Sequence, residues 1–174
     1  MEDNITLETK KKLENINADD IDLFSLNGQT YLGKVVEMYD GDTCKIVLAI
    51  NNNLQKFNCR LLGLDTPEMK PPIDKPNRDI EILNAHKCRN RLLQLTTTCS
   101  CQIDSILKKP EIKTLLKSNK LILMVKCHEF DKYGRLLVEL VSISDETNKT
   151  INQILVEEKY AKAYDGGTKD VFTY

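Results

Sequence analysis

The sequence predicts an α+β, mostly β fold: a five-stranded OB-type barrel with helices packed against it. Five runs of strand-forming residues are separated by turns or loops, most of which are rich in Gly, Asn, Asp or Pro. One helical pattern, with a period near 3.6 residues, lies between the third and fourth runs, and a second follows the fifth. Three strands, a helix, two strands and a helix is the order of a small closed barrel.

The first three strands are predicted within residues 31–64. We expect them at 31–39, 43–50 and 55–64, with turns at Asp40-Gly41-Asp42 and Asn51-Asn52-Asn53. Four prolines follow between residues 67 and 76. Because proline is incompatible with a helix interior or a central strand, this segment is predicted to be an extended loop.

The remaining elements follow the proline-rich loop. Apolar residues recur every three or four positions over 79–96, which predicts a helix with one buried face. Residues 111–117 are a candidate short helix, and strands are predicted at 121–130 and 135–143. The pattern Thr150-Ile-Asn-Gln153 is a capping box, which predicts the start of the last helix.

The chain of 174 residues suits one domain with an arm and insertions. We expect an N-terminal arm at 1–28, a barrel domain at 29–165 with insertions at 69–80 and 99–120, and a C-terminal tail at 166–174. Residues 1–25 carry seven acids and three bases, so the near-neutral total hides an acidic arm and a body of net charge +3. The arm is either a solvated tail or short surface helix, or a shield over a basic groove.

Several classes of protein are excluded by composition. No apolar run is long enough to span a membrane, and the N-terminus lacks the layout of a secretory signal. The six cysteines include no Cys-x-x-Cys pair, so neither a zinc site nor a disulfide framework is indicated. We therefore expect an intracellular monomer with reduced, structural cysteines and no membrane partner.

Acids and arginines gather in three clusters at strand ends and turns. The clusters are Asp40-Gly41-Asp42-Thr43, Arg60-Leu-Leu-Gly-Leu-Asp65-Thr66-Pro67-Glu68 and Asp131-Lys132-Tyr133-Gly134-Arg135. Each cluster taken alone is compatible with an ordinary turn. A turn does not explain Arg60, which lies in an apolar strand five positions before Asp65. Strand alternation puts these two side chains on opposite faces, so a bend near Gly63 is needed to bring them to one site.

These three clusters, in this order, resemble the staphylococcal nuclease (thermonuclease) family over residues 31–164. The resemblance implies an SNase-like OB-type barrel, in agreement with the fold predicted from the strand and helix patterns. It also implies a calcium-dependent nuclease that hydrolyses the 5′ P–O bond of DNA and RNA, leaves 3′-phosphates and has little sequence preference.

The resemblance implies the metal site and the base. Ca²⁺ would be held by Asp42, Asp65 and the backbone carbonyl of Thr66, and Asp40 would lie just outside the ligand shell. Oxygen-only ligation suits such a hard cation. Glu68 would be the general base that orients and deprotonates the attacking water.

The resemblance also implies the residues that bind the nucleic acid. Arg60 and Arg135 would grip the scissile phosphate, because a planar guanidinium can bind two phosphate oxygens at once. Lys132 and Tyr133 would contact the neighbouring phosphate. A tyrosine near the C-terminus would stack on the adjacent base; Tyr164 is the candidate, and Tyr160 is the alternative.

Two other functions compete with the nuclease. A catalytically inactive SNase-like barrel could serve as a nucleic-acid or protein-binding module, but such relatives typically lose metal ligands or arginines that this chain keeps. A single-strand-binding OB barrel would need exposed aromatic residues and a basic body, and six Tyr, four Phe and a body charge of +3 supply little of either. Five lysines between residues 108 and 120 form either an added substrate surface or a solvated segment.

Overall fold

The computed structural model describes residues 2–144, 149–167 and 172. The strands are β1 (Thr30–Met38), β2 (Thr43–Ile50), β3 (Asn53–Leu61), β4 (Leu64–Asp65), β5 (Leu123–Phe130), β6 (Leu136–Ser142) and β7 (Lys162–Ala163). The helices are α1 (Glu2–Glu14), α2 (Arg78–Thr96), α3 (Lys109–Ser118) and α4 (Ile151–Glu157). Five strands close a barrel in the order β1-β2-β3-β6-β5, in which only β3 and β6 are parallel neighbours. The predicted α+β fold, an OB-type barrel with packed helices, is confirmed.

Alternate strand residues fill the interior of the barrel. In β2, for example, Ile46 and Leu48 are fully buried while the residues between them are partly exposed. Three cysteines behave as the small apolar residues that the sequence predicts, since Cys44, Cys59 and Cys127 are all buried in strands. Burial raises the pKa of Cys59 to about 12, so this side chain is a neutral thiol at physiological pH.

Helix α2 packs its predicted apolar face on the barrel, with Cys88 and Leu92 fully buried. The same helix also buries polar residues that the apolar pattern does not include, among them Arg89 and Asn90. The side-chain amide of Asn90 donates to the carbonyl oxygens of Ile103, at 2.9 Å, and Ser105, at 2.7 Å. Arg89 donates to the carbonyl oxygen of Leu107 at 3.0 Å. These bonds fasten the 99–120 insertion to α2.

The predicted strand at 55–64 is two strands rather than one. β3 ends at Leu61, the chain turns at Gly63 with φ of +78°, and β4 then pairs with β7. A φ in this region favours glycine, which explains why the turn forms there. The buried amide of Asn152 fixes the turn by donating to the carbonyl oxygen of Leu62 at 2.9 Å. The predicted bend near Gly63 is therefore confirmed.

The elements outside the barrel agree with several sequence patterns. Thr150 and Gln153 form the predicted capping box at the start of α4, with bonds of 2.9 and 3.1 Å. The candidate helix at 111–117 is α3, which packs against β1. Helix α1 lies on the surface, and every described side chain from residue 6 to residue 25 is exposed. Of the predicted C-terminal tail, only residues 166, 167 and 172 fall within the described part of the chain.

The helices also bear on membrane insertion. Among the described residues, none of the helices combines the length and the apolar character that crossing a bilayer requires.

Helix α2 packs closely against the β1–β2 turn at Gly41. A Cβ atom on Gly41 would overlap the Cys88 Sγ atom, and would lie 3.0 Å from the Cys88 Cβ atom and 3.1 Å from the Thr66 Cγ2 atom. Because such overlap forces the packing apart, we expect Gly41→Ala to lower the free energy of unfolding by about 1–3 kcal/mol in urea denaturation. Cys88→Ala should recover part of this loss, so the double variant is expected to be more stable than the sum of the single effects. Strictly additive effects would contradict this close packing.

Candidate active site

A cleft of about 480 Å³ opens where the β1–β2 turn, the segment after β4 and the β5–β6 turn meet. Nine of the ten site residues predicted from the sequence line this cleft: Asp40, Asp42, Arg60, Thr66, Glu68, Lys132, Tyr133, Arg135 and Tyr164. The tenth, Asp65, is joined to the others through Arg60. The barrel therefore brings the three motif clusters together at one end.

Arg60 links two buried carboxylates. Its Nη1 atom lies 2.5 Å from an oxygen of Asp42, and its Nη2 atom lies 3.5 Å from an oxygen of Asp65. Asp42 and Asp65 are only 3% and 5% exposed. Because a buried carboxylate is costly unless it is paired, Arg60 stabilises these two acids inside the protein.

The β1–β2 turn adds a third acid to this charge cluster. Asp40 accepts hydrogen bonds from the backbone N–H groups of Asp42, at 3.1 Å, and Thr43, at 2.7 Å, and so fixes the turn. Burial and the nearby Asp40 carboxylate raise the pKa of Asp42 to about 6, although Arg60 acts in the opposite direction. Asp40 and Arg60 thus act on Asp42 in opposite directions, and burial acts in the same direction as Asp40.

Asp42, Asp65 and Thr66 fit a hard divalent cation by the chemistry of their donor atoms. Carboxylate and carbonyl oxygens are the ligands that such ions prefer. A cation would favour the charged form of Asp42, whose pKa is raised by burial and by the Asp40 carboxylate. Within the described part of the chain, no group of three or more His, Cys, Asp or Glu side chains surrounds a common metal position. Water and substrate oxygens would therefore have to complete the ligand shell.

On the opposite wall of the cleft, Asp131 orients Arg135. The Nε atom of Arg135 donates to one Asp131 oxygen at 2.7 Å, and the backbone N–H groups of Tyr133 and Arg135 donate to the other at 2.9 Å each. Burial would raise the pKa of Asp131, but these hydrogen bonds outweigh it and lower the pKa below its ordinary value. The exposed Tyr133 ring lies 5.2 Å from the Lys132 ammonium and 5.4 Å from the Arg135 guanidinium.

Glu81, on the first turns of α2, holds the main chain at Glu68. Its side chain is almost completely buried, accepts a hydrogen bond from the Glu68 N–H at 3.2 Å and forms an ion pair with Lys75. The Glu68 side chain itself is exposed at the cleft. The sequence did not predict this structural role of Glu81. An acid in the first turn of a helix is usually exposed to solvent and interacts favourably with the helix dipole.

The two candidate tyrosines lie in different places. Tyr164 lines the cleft, where its backbone N–H donates to the carbonyl oxygen of Gly63 at 3.0 Å and its hydroxyl donates to that of Gly167 at 2.9 Å. Tyr160 instead lines a neighbouring groove. None of the five lysines between residues 108 and 120 is among the residues that line the cleft.

The cleft combines groups that bind an anion with a carboxylate open to water. Arg60, Lys132 and Arg135 supply charged donors of the kind that bind phosphate oxygens, and Glu68 lines the same space. The chain matches no protein-family model and no curated protein sequence. The interpretation of the cleft therefore depends on the chemistry of its own residues.

The buried position of Glu81 gives a direct test of its structural role. We expect Glu81→Gln to lower the free energy of unfolding by about 1–3 kcal/mol, because it leaves the Lys75 charge without its partner in a nearly dry site. Glu158→Gln is the matched control, since Glu158 bonds Arg91 at 2.6 and 2.7 Å but is about one-third exposed. The control should cost less than about 1 kcal/mol. Equal losses in urea denaturation of the two variants would show that Glu81 has no special role.

Proposed function

We propose that this protein is a calcium-dependent phosphodiesterase of the staphylococcal nuclease type. It would hydrolyse the 5′ P–O bond of DNA and RNA, leave 3′-phosphates and show low sequence specificity. One observation supports the proposal above all. Nine site residues predicted from the sequence line a single cleft, although they come from four separate segments of the chain. Packing alone would not require these acids and arginines to gather at one end of the barrel.

Arg60 and Arg135 would bind the scissile phosphate from two sides. Asp131 fixes one edge of the Arg135 guanidinium through a bond of 2.7 Å, so little side-chain freedom is lost when a phosphate binds. Arg60 lies 16% exposed, at the boundary between the buried acids and the cleft. Both cations would stabilise the charge that develops on the phosphoryl oxygens in the transition state.

Glu68 would act as the general base. Its side chain is exposed at the cleft, where it can reach water, and the bond between its backbone N–H and Glu81 restrains the turn that carries it. A base on a restrained main chain can orient a water molecule toward the phosphorus atom before it accepts the proton.

Asp42, Asp65 and the Thr66 carbonyl would hold the calcium ion. When bound, the ion would polarise a phosphoryl oxygen and offset developing negative charge. Arg60 keeps the two carboxylates in fixed positions, and Asp40 fixes the turn that carries Asp42. These residues together form a preorganised acidic site beside the phosphate-binding arginines.

Three of the residues that line the cleft support a nucleic-acid substrate. Lys132 and Tyr133 would contact the neighbouring phosphate, and Tyr164 would stack on the adjacent base. Contacts to phosphates and base faces carry little sequence information, which is consistent with low specificity.

The alternative is a catalytically inactive barrel that binds nucleic acid or protein. Its support is that Arg60 already contacts both Asp42 and Asp65, as expected of a purely structural charge cluster. That alternative does not explain why Glu68 is exposed in the same cleft as Arg135, since neither residue belongs to the buried cluster.

Active-site substitutions separate the two functions. We expect Arg60→Ala, Arg135→Ala and Glu68→Gln each to lower kcat/KM on single-stranded DNA by about 10²–10⁴-fold, because each removes a group that acts in the transition state. Arg91→Ala is the matched control, since Arg91 pairs with Glu158 outside the cleft. Circular dichroism should show that each variant is folded. Wild-type rates in all three active-site variants would refute the proposed site.

A further inference from the structure

Residues 19–24 of the N-terminal arm, which we call the arm segment, combine exposed apolar side chains with acids. Ile21, Leu23 and Phe24 are 60%, 95% and 71% exposed. Aspartates occupy the other three positions, and the segment contains no basic residue. Three large apolar side chains so exposed in a stretch of six residues indicate a surface that another protein surface covers.

The acids of the arm segment differ from the acids of α1. Glu8 and Glu14 form ion pairs with lysines of the same helix. Asp19, Asp20 and Asp22 form no ion pair within the described part of the chain. The arm segment therefore presents negative charge that no cation of its own helix neutralises.

A groove of about 320 Å³ lies between β1 and α3 and shares no lining residue with the cleft. We call it the α3 groove. Lys109 and Lys113 line it, and both are exposed. This volume is at the lower limit of ordinary ligand sites, which suits a few side chains rather than a large ligand. Four apolar residues also line the groove: Val36, Met38, Ile112 and Leu116.

Positive charge exceeds negative charge around the α3 groove. Glu37 is the only acid among the residues that line it, and its carboxylate lies 2.9 Å from the Lys45 ammonium and 3.9 Å from that of Lys56. The hydrogen bond from Lys45 lowers the pKa of Glu37, so this acid is charged but already has cationic partners. Neither Lys109 nor Lys113 forms an ion pair within the residues that the structure describes.

The arm segment and the α3 groove are complementary in both charge and polarity. The groove combines an apolar lining with two exposed lysines, and the segment combines three apolar side chains with three aspartates. A nucleic acid would contact the lysines but would leave the apolar lining unused. A peptide segment in which acids flank apolar side chains uses both features, and such complementarity favours one partner over others.

The arm segment is too short to reach the α3 groove of its own chain. Leu26, just after the segment, is 3% exposed and belongs to the core, so it fixes the end of the arm. From Leu26 back to Leu23 the chain spans at most about 10 Å. From Thr30 to Val36, by contrast, β1 extends for about 20 Å in the other direction along the chain. The segment that fits this groove is therefore that of another molecule.

From these observations we propose that the arm segment of one molecule docks in the α3 groove of a second copy of the chain. Two copies that exchange their arms would fill two grooves and form a closed, self-complementary pair. Because each contact is small, association is weak and increases with protein concentration, and the monomer expected from the sequence is the dilute form. The inference goes beyond the proposed nuclease function, since no residue that lines the cleft takes part.

Charge reversal tests the proposal in the full chain. The groove variant is Lys109→Glu/Lys113→Glu, and the arm variant is Asp20→Lys/Asp22→Lys. In sedimentation velocity at about 10 μM to 1 mM, we expect the wild-type protein to form dimers and each variant alone to associate at least about tenfold more weakly. An equimolar mixture of the two variants should recover association, because each reversed surface then meets its complement.

Matched controls separate docking from general effects. Leu23→Ser should weaken association, whereas Ile73→Ser, at a side chain 93% exposed in the proline-rich loop, should not. Lys126→Glu, on the exposed face of β5, should also leave association unchanged. Circular dichroism should show every variant folded, since all the substituted side chains are exposed.

Three results would each overturn the docking proposal. The first is a wild-type protein that stays monomeric at the highest concentration. The second is a groove variant or an arm variant that associates as strongly as the wild type. The third is a mixture of the two variants that remains monomeric. Each of these results would leave the proposed nuclease function unaffected, because cleavage is measured on the cleft variants.

Discussion

Two buried carboxylates share one guanidinium at the end of the barrel, and the rest of the site depends on this interaction. Asp42 lies in the β1–β2 turn, Arg60 in β3 and Asp65 in β4. These three segments must therefore reach their final positions before the charges can compensate one another. An unpaired buried acid costs several kcal/mol, so Arg60 acts as a structural counter-ion. Arg60 also lines the cleft, and it therefore belongs to both the buried charge cluster and the site. The bend at Gly63 makes this arrangement possible, because it turns Asp65 back toward Arg60.

Helix α2 packs against two of the chain segments that carry site residues. Cys88 packs against the β1–β2 turn at Gly41, and Glu81 holds the turn at Glu68, so one helix restrains two of the loops that carry site residues. The proline-rich insertion contributes Lys75 as the counter-charge for Glu81. Sites held by such a supporting layer lose little order when a substrate binds, which is the condition for positioning a phosphate and a base together.

The sequence predicts most of the fold and much of the site, for physical reasons that can be stated. Strand alternation and the capping box at Thr150 depend on local patterns. The bend at Gly63 was expected as the condition for bringing Arg60 and Asp65 to one site. The buried positions of Glu81 and Asn90 were not predictable in the same way. Their hydrogen-bond partners, the Glu68 N–H and the Ser105 carbonyl, lie more than ten residues away, and apolar periodicity treats every polar residue as exposed.

The proposed function requires that the cleft be a calcium-dependent centre for phosphodiester hydrolysis, and the chemical ends of the products are its sharpest test. Single-stranded DNA would be incubated with the protein in calcium and in EGTA, and the new ends identified by their sensitivity to a 3′-phosphatase. The account predicts 3′-phosphate and 5′-hydroxyl ends that form in calcium and not in EGTA. Products with 5′-phosphate ends, equal cleavage in EGTA, or no cleavage by the folded protein in calcium would contradict it.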